Sequence, residues 1–121
     1  MMDYWNELGI DAVVMPNYPI PAFKEENVVS VGAIRDYQCM WSLFHYPAGS
    51  VPITFTDGAE SIKQAEIYDN EEQFKDMVVK AIKKDLVSSH GMPVGVQVAA
   101  RKWEDEVCLG VMMAISERHN I

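Results

Sequence analysis

Apolar positions along the chain fall into two patterns, short β-branched runs and stripes at helical spacing. Ile10 to Met15 is a run of the first kind, closed by Pro16, and reads as a buried strand. Val51 to Phe55 is a second; Pro52 inside it argues for an edge position or for a strand that begins after the proline. The third is Pro93-Val94-Gly95-Val96-Gln97-Val98-Ala99, whose alternating valines point one way and whose glycine permits close approach by another backbone.

Helical spacing surrounds these runs. The chain opens on what reads as the last turns of a helix, with Leu8 apolar and Gly9 where a left-handed C-terminal cap would use it. An opening of that kind is expected of a piece cut from a longer polypeptide. From Ser30 to about Phe44, the residues Val31, Ile34, Tyr37, Gln38, Trp41 and Phe44 or His45 recur at near-helical spacing. The clearest helix begins at Asn70, where Asn as N-cap and Gln73 at the third helical position can satisfy each other's orphan amides. Phe74, Met77, Val78, Ala81 and Ile82 then form one apolar stripe that ends near Lys84. The last helix is expected from about Lys102 to Arg118, with Glu104, Asp105 and Glu106 at the positive end of its dipole and Val107, Val111, Ala114 and Ile115 on its buried face. Between elements, residues 16–27 suit an irregular loop, Asp57-Gly58 marks a turn, residues 59–69 form an acidic, poorly patterned connection, and Ser88-Ser89-His90-Gly91 is a turn.

Short apolar strands alternating with amphipathic helices give an α/β fold class. Three short strands would leave open edges, and an exposed edge usually needs a partner strand. The sequence therefore reads as part of a larger mixed β-sheet flanked by helices, one unit over 1–121 without an internal boundary.

Composition narrows the function classes. At 121 residues the chain fits one small domain, which hides roughly 65% of the surface of its unfolded form. Its 18 acidic against 10 basic residues give a net charge of -8, which repels phosphate backbones and argues against a nucleic-acid partner. Lys80, Lys83 and Lys84 read as a solvated last helical turn. Cys39 and Cys108, the only cysteines, supply neither a disulfide framework nor a zinc site, and a reducing, cytoplasmic compartment is the default. No stretch approaches the ~20 apolar residues of a membrane span, which leaves peripheral contact with a membrane open.

Candidate chemistry is thin. The nearest approach to a Gly-x-Ser-x-Gly elbow is Ala48-Gly49-Ser50-Val51-Pro52, where the second glycine is missing. Ser50 with His45 or His90 and Asp57 could be written as a triad, but such a set is recognised only by geometry, and Ser50 reads as a turn serine. His45, His90 and His119 lack the spacing of metal ligands, so no metal is expected, and no Gly-rich cradle calls for a cofactor. Ser88-Ser89 suits a helix-terminating turn. Cys39 and Cys108 lie in helical patterns as small core hydrophobes, and at least two of Trp5, Trp41 and Trp103 are expected to serve packing.

Three linked blocks carry a resemblance. Trp5 with Leu8-Gly9-Ile10-Asp11-Ala12-Val13-Val14-Met15-Pro16, then Tyr46-Pro47-Ala48-Gly49-Ser50-Val51-Pro52-Ile53-Thr54, then Gly91-Met92-Pro93-Val94-Gly95-Val96-Gln97-Val98-Ala99, resemble in order and spacing the C-terminal third of amidase-signature enzymes. Lys102-Trp103-Glu104-Asp105-Glu106-Val107-Cys108-Leu109 is similar to the opening of the last helix in the fatty acid amide hydrolase branch.

The resemblance implies a family that hydrolyses amides with a serine nucleophile, a second serine in a cis peptide, and a lysine acting as acid and base without a metal. A buried lysine kept neutral by desolvation can accept a serine proton, so the mechanism is chemically sound. In the family those groups lie in a Gly- and Ser-rich region upstream of everything present here; no residue of this chain matches them, and the chain alone is expected to be inactive. What carries over is substrate shaping. Trp103 matches a Trp that lines the acyl-chain channel, and Val51 and Ile53 lie on the strand after the Pro-Ala-Gly turn near the pocket, with plain core packing as the competing reading for all three. The implied substrate of the full-length parent is a hydrophobic amide, an N-acyl ethanolamine or primary fatty amide. The region from Trp5 to Phe23 would lie near a membrane-facing cap, implying peripheral contact with an internal membrane. Pairing with a missing catalytic portion, or self-association, are the implied protein partners. The alternative is a non-catalytic α/β interaction module that uses its exposed sheet edge to bind a partner.

Overall fold

Strand β3 (Pro93–Ala100) lies between β1 (Ala12–Pro16) and β2 (Ala48–Phe55), giving the sheet order β1-β3-β2 with both pairings antiparallel. The structure is a computed structural model and describes residues 2–25, 32, 36–69 and 76–119. Two hydrogen bonds at the strand ends fix the parity of the ladders. Asn17 N–H donates to the Gly95 carbonyl at 3.2 Å, and Ala100 N–H donates to the Pro47 carbonyl at 3.1 Å. In an antiparallel ladder bonding residues alternate, so Val13 and Met15 bond inward while Ala12, Val14 and Pro16 turn their backbone groups outward. By the same parity Gly49 and Val51 bond inward, and Ala48, Ser50 and Pro52 point outward. Pro16 and Pro52 thus occupy positions where a missing N–H breaks no ladder bond. This realises the edge position expected of Pro52; a register shift between Pro52 and Thr54 follows it.

Helices cover both faces. On one, Val98 and Ala100 pack with Cys108, Val111, Met112 and Ile115 of α5 (Asp105–His119). On the other, Ala99, Val13 and Met15 meet Trp5 of α1 (Met2–Leu8), Trp41 of α2 (Asp36–Leu43) and Tyr46. The three rings sit 5.7–6.1 Å apart and Trp41 Nε1–H donates to Met15 Sδ at 3.2 Å, so two of the three tryptophans are packing residues as expected. The glycines of the strands have jobs. A Cβ on Gly49 would collide with Met112 Sδ, and one on Gly95 would lie 3.1 Å from the Val51 carbonyl oxygen, which is the close backbone approach its position suggested. Gly9, with φ +62°, ends α1 in the expected left-handed conformation.

Beside the sheet, α3 (Gly58–Glu66) and α4 (Met77–Val87) enclose a second core of Ile20, Ala65, Ile82 and Leu86. Helix α3 corrects the expectation of an unpatterned connection over 59–69. Asp57 caps it by accepting from Ala59 N–H at 3.2 Å, Glu60 sits in its first turn, and a 3-10 turn, Ile67–Asp69, continues the segment. For α4, the expected start at Asn70 with Gln73 and Phe74 lies outside the described residues. The described helix is capped by Asp76, which accepts from Val78 N–H at 2.9 Å, and runs past Lys84 to Val87; Met77 is exposed instead of joining the stripe. Most of the segment 30–35 also lies outside the described residues.

Two further expectations shift. Helix α5 begins at Asp105 because Arg101 to Glu104 form a turn, closed by Glu104 N–H to the Arg101 carbonyl at 3.1 Å. Its packed face is Cys108, Val111, Met112 and Ile115, with Val107 and Ala114 turned toward solvent. Cys39 is exposed on α2, whereas Cys108 is buried as expected.

Candidate functional site

Loop 17–23 crosses beside β3 and creates a groove. Asn17 holds one end through the Gly95 carbonyl, and Ala22 N–H donates to the Pro93 carbonyl at 3.3 Å at the other. Gln38 Nε2 of α2 donates to Asn17 Oδ1 at 3.3 Å, and the Tyr18 and Phe23 rings lie 5.5 Å apart. The resulting groove of about 880 Å³ runs between this loop, α3 and the side of β2 that carries Ser50, Pro52 and Thr54. Tyr18, Ile20 and Phe23 make an apolar wall, opposite Asp57, Glu60 and Gln64. Such a groove has the volume and apolar lining to hold a small organic group or a peptide segment.

Several polar residues around it are engaged in tying turns together. Thr56 Oγ1 donates to the Ser89 carbonyl and accepts from Met92 N–H at 3.0 Å, while Gly91 N–H donates to the Thr56 carbonyl at 3.0 Å. Ser89 Oγ and Ser61 Oγ are 3.0 Å apart, and Ser89 Oγ donates to the Leu86 carbonyl at 2.8 Å. His90 Nδ1 accepts from Gly58 N–H at 3.0 Å, which leaves the ring proton on Nε2. Asp57 is occupied as the cap of α3. Ser50 stands exposed on the outer edge of β2, and among the described residues no hydrogen bond joins it to His45, His90 or Asp57. The triad that could be written on paper is not assembled here.

The three residues read as substrate-lining lie elsewhere. Val51 is two residues beyond Gly49, hence on the α5 side of β2, and is buried. Ile53 is half-buried within the register shift. Trp103 stands in the turn before α5, 90% exposed and with φ +69°, a left-handed backbone that bulky residues rarely adopt. None of the three lines the groove. Cys108 Sγ donates to the Val98 carbonyl at 3.5 Å. Burial pushes this thiol above its usual range, and the charge of Asp105 adds to that against the opposing hydrogen bond from Gly49, which leaves an unreactive packing residue.

Sequence reasoning missed the groove because its walls are an irregular loop and the unrecognised α3. The available signal was Asp57 followed by Glu60, the spacing of a capping box.

Most of this chain matches the model of a known protein family. That model, described as Amidase, covers residues 1–109, and the chain belongs to the amidase family. Within the family it is similar to fatty-acid amide hydrolase 1 of Sus scrofa, at 32% identity over 111 residues, or 92% of this chain and 18% of that protein. It is also similar to fatty acid amide hydrolase 1 of Caenorhabditis elegans, at 32% identity over 107 residues, or 88% of this chain and 18% of the relative. The chain thus spans less than a fifth of the length of these relatives.

Proposed function

We propose that this chain supplies part of the central sheet and of the substrate-facing wall of an amidase that hydrolyses hydrophobic carboxamides, and that it is catalytically inert by itself. The observation that carries the reading is the match to the amidase family over residues 1–109, with both relatives named for fatty-acid amide hydrolysis. The serine nucleophile, its partner serine and the lysine base come from polypeptide outside these 121 residues. In this reading Trp103 meets the acyl chain, and Val51 and Ile53 hold the adjoining strand in place. The exposed backbone strain at Trp103 supports a role beyond packing, because a Trp that is both strained and solvated stabilises nothing within the chain.

Surface area supports the need for a larger body. The chain exposes 8206 Å². A self-contained protein of this mass, 13.7 kDa, exposes roughly 6,600 Å². Among the described residues no helix is long and apolar enough to cross a membrane. The open sheet edges favour one second reading, a binding module without catalytic duty.

Fluorophosphonate labelling separates the two. The 121-residue chain stays unlabelled, and labelling appears on the catalytic portion when the two are combined. Labelling of the chain alone, lost in Ser50→Ala, would sink the reading; association that never yields a labelled nucleophile would favour the binding module.

A further inference from the structure

We propose that the groove between loop 17–23 and α3 is a binding site for a primary alkylammonium, with Asp57 and Glu60 taking the cationic head and Tyr18, Ile20 and Phe23 taking the apolar arm. The site goes beyond the hydrolase reading and does not rest on it.

Charge supplies the first argument. Among the described residues Asp57 and Glu60 are the only charged side chains that line the groove, and neither forms an ion pair. Both stand at the N-terminus of α3, whose dipole offsets about half a unit of negative charge. Two carboxylates against that leave an excess of about -1.5. Capping does not exhaust Asp57: its Oδ1 accepts from Ala59 N–H, and a carboxylate can accept from about four donors.

The other polar groups favour a ligand that donates. Thr56 gives its hydroxyl proton to the Ser89 carbonyl, and Gln38 Nε2 donates to Asn17 Oδ1. Gln97 stands directly across the ladder from Ser50 and on the same face of β3 as Gly95, and both of those residues line the groove. It is 7% exposed, and its Oε1 is buried without a hydrogen-bond partner among the described residues. An ammonium, with three donors and no acceptor, suits such a set, whereas a carboxylate or phosphate would meet only like charge and spent donors.

The opposite wall accounts for the arm. The rings of Tyr18 and Phe23 lie 5.5 Å apart beside buried Ile20, and aromatic rings attract a cation on their faces as well as packing a methylene chain. A volume of about 880 Å³ accommodates a small amine and its arm. Asp57 and Glu60 are exposed, so the electrostatic gain is modest and sensitive to salt, about fivefold over a neutral isostere at low ionic strength.

Titrating n-hexylammonium, 1-hexanol and hexanoate into the full chain, followed by amide NMR shifts, separates head from arm. At low salt hexylammonium should bind about fivefold or more tightly than 1-hexanol and shift the amides of Tyr18, Phe23, Glu60 and Gln64. Hexanoate should bind more weakly than 1-hexanol, and about 0.5 M salt should remove most of the advantage of the amine. Asp57→Asn, which keeps the cap, and Glu60→Gln should each lower hexylammonium affinity about two- to threefold, and together bring it to that of 1-hexanol. Glu117→Gln on α5 makes the same change in net charge as either single variant and should leave the affinity unaltered. No saturable binding, equal binding of the three probes, shifts that map away from the groove, or an affinity untouched in the double variant would each overturn the site. The two carboxylates would then do no more than balance the dipole of α3.

Discussion

Replacing Arg101 with alanine tests whether one side chain fastens α1 and β1 to the end of the central strand. Its Nε–H donates to the Ile10 carbonyl at 3.1 Å and Nη1 to Asn6 Oδ1 at 3.2 Å, while Nη2 pairs with Asp11 and Nε lies 3.7 Å from Glu104. The guanidinium side chain is 24% exposed, but Asp11 is 75% exposed. An ion pair to so solvated a carboxylate contributes about 0–1 kcal/mol. A charged donor bonded to a half-buried carbonyl contributes about 1.5–3 kcal/mol, so the bond to Ile10 dominates. Arg101→Ala should therefore cost about 2–3 kcal/mol and Asp11→Ala less than about 1 kcal/mol. Arg101→Lys should fall between, because an ammonium cannot fork across the carbonyl and the Asn6 amide. Urea unfolding followed by tryptophan fluorescence measures this directly, since Trp5 and Trp41 sit in the cluster that the arginine helps to anchor. A loss below about 0.5 kcal/mol for Arg101→Ala, or an equal loss for Asp11→Ala, would refute the ranking of carbonyl over ion pair.

Two other perturbations probe the second core and the thiols. Leu86→Ala empties the centre of the cluster formed with Ile20, Ala65 and Ile82 and should cost about 2–5 kcal/mol in the same urea assay, with a smaller value meaning that α3 and α4 collapse freely onto the gap. Exposed Cys39 should react with a thiol reagent at the rate of a free cysteine, while Cys108 reacts only on unfolding. Because burial raises the folded-state value of Cys108, its contribution to stability is complete below the ordinary thiol range and declines as pH rises from about 8.5 through that raised value. Cys108→Ala should flatten the decline in urea midpoint between neutral and alkaline pH; an unchanged slope would assign it to other groups.

The strands were legible because their signals are local. β-branched runs, an alternation of valines, and prolines that can sit only where no inward N–H is needed together specify three short strands and one proline-bearing edge. Helix α3 was not legible. Its buried residues are Ser61 and Ala65, small side chains that carry little weight in an apolar pattern, while Ile62 and Ile67 point outward. Helix α5 was legible as a helix but not in rotation. Val107, Leu109, Val111, Met112, Met113 and Ile115 surround its axis with apolar groups, so spacing alone cannot choose among faces, and contact with Gly49 and Val98 decides it. The groove was half visible: the loop that walls it was read as irregular, but that Tyr18 and Phe23 would pair across it depends on the hydrogen bonds of Asn17 and Ala22 to β3.

Among the described residues, most of the polar groups that could form a nucleophile-base pair are engaged in other bonds. A nucleophile needs a base within hydrogen-bond reach, and a base needs a free ring nitrogen or carboxylate oxygen directed at it. His90 gives Nδ1 to the first amide of α3, Asp57 caps the same helix, and Ser89 is closed between Ser61 and the Leu86 carbonyl. Thr56 stitches the turn between α4 and β3 to the end of β2. These groups are thus spent on joining turns, and the exposed Ser50 stands on a sheet edge with no hydrogen-bonded base among the described residues. The exposed apolar groups are many, and Trp103 before α5 is the most exposed of them, ahead of Met77 and Leu43. The hydrogen-bonding side chains named above thus join the turns of this unit from within, while Trp103, exposed in a left-handed turn, is the group that the proposed reading sets against a hydrophobic ligand.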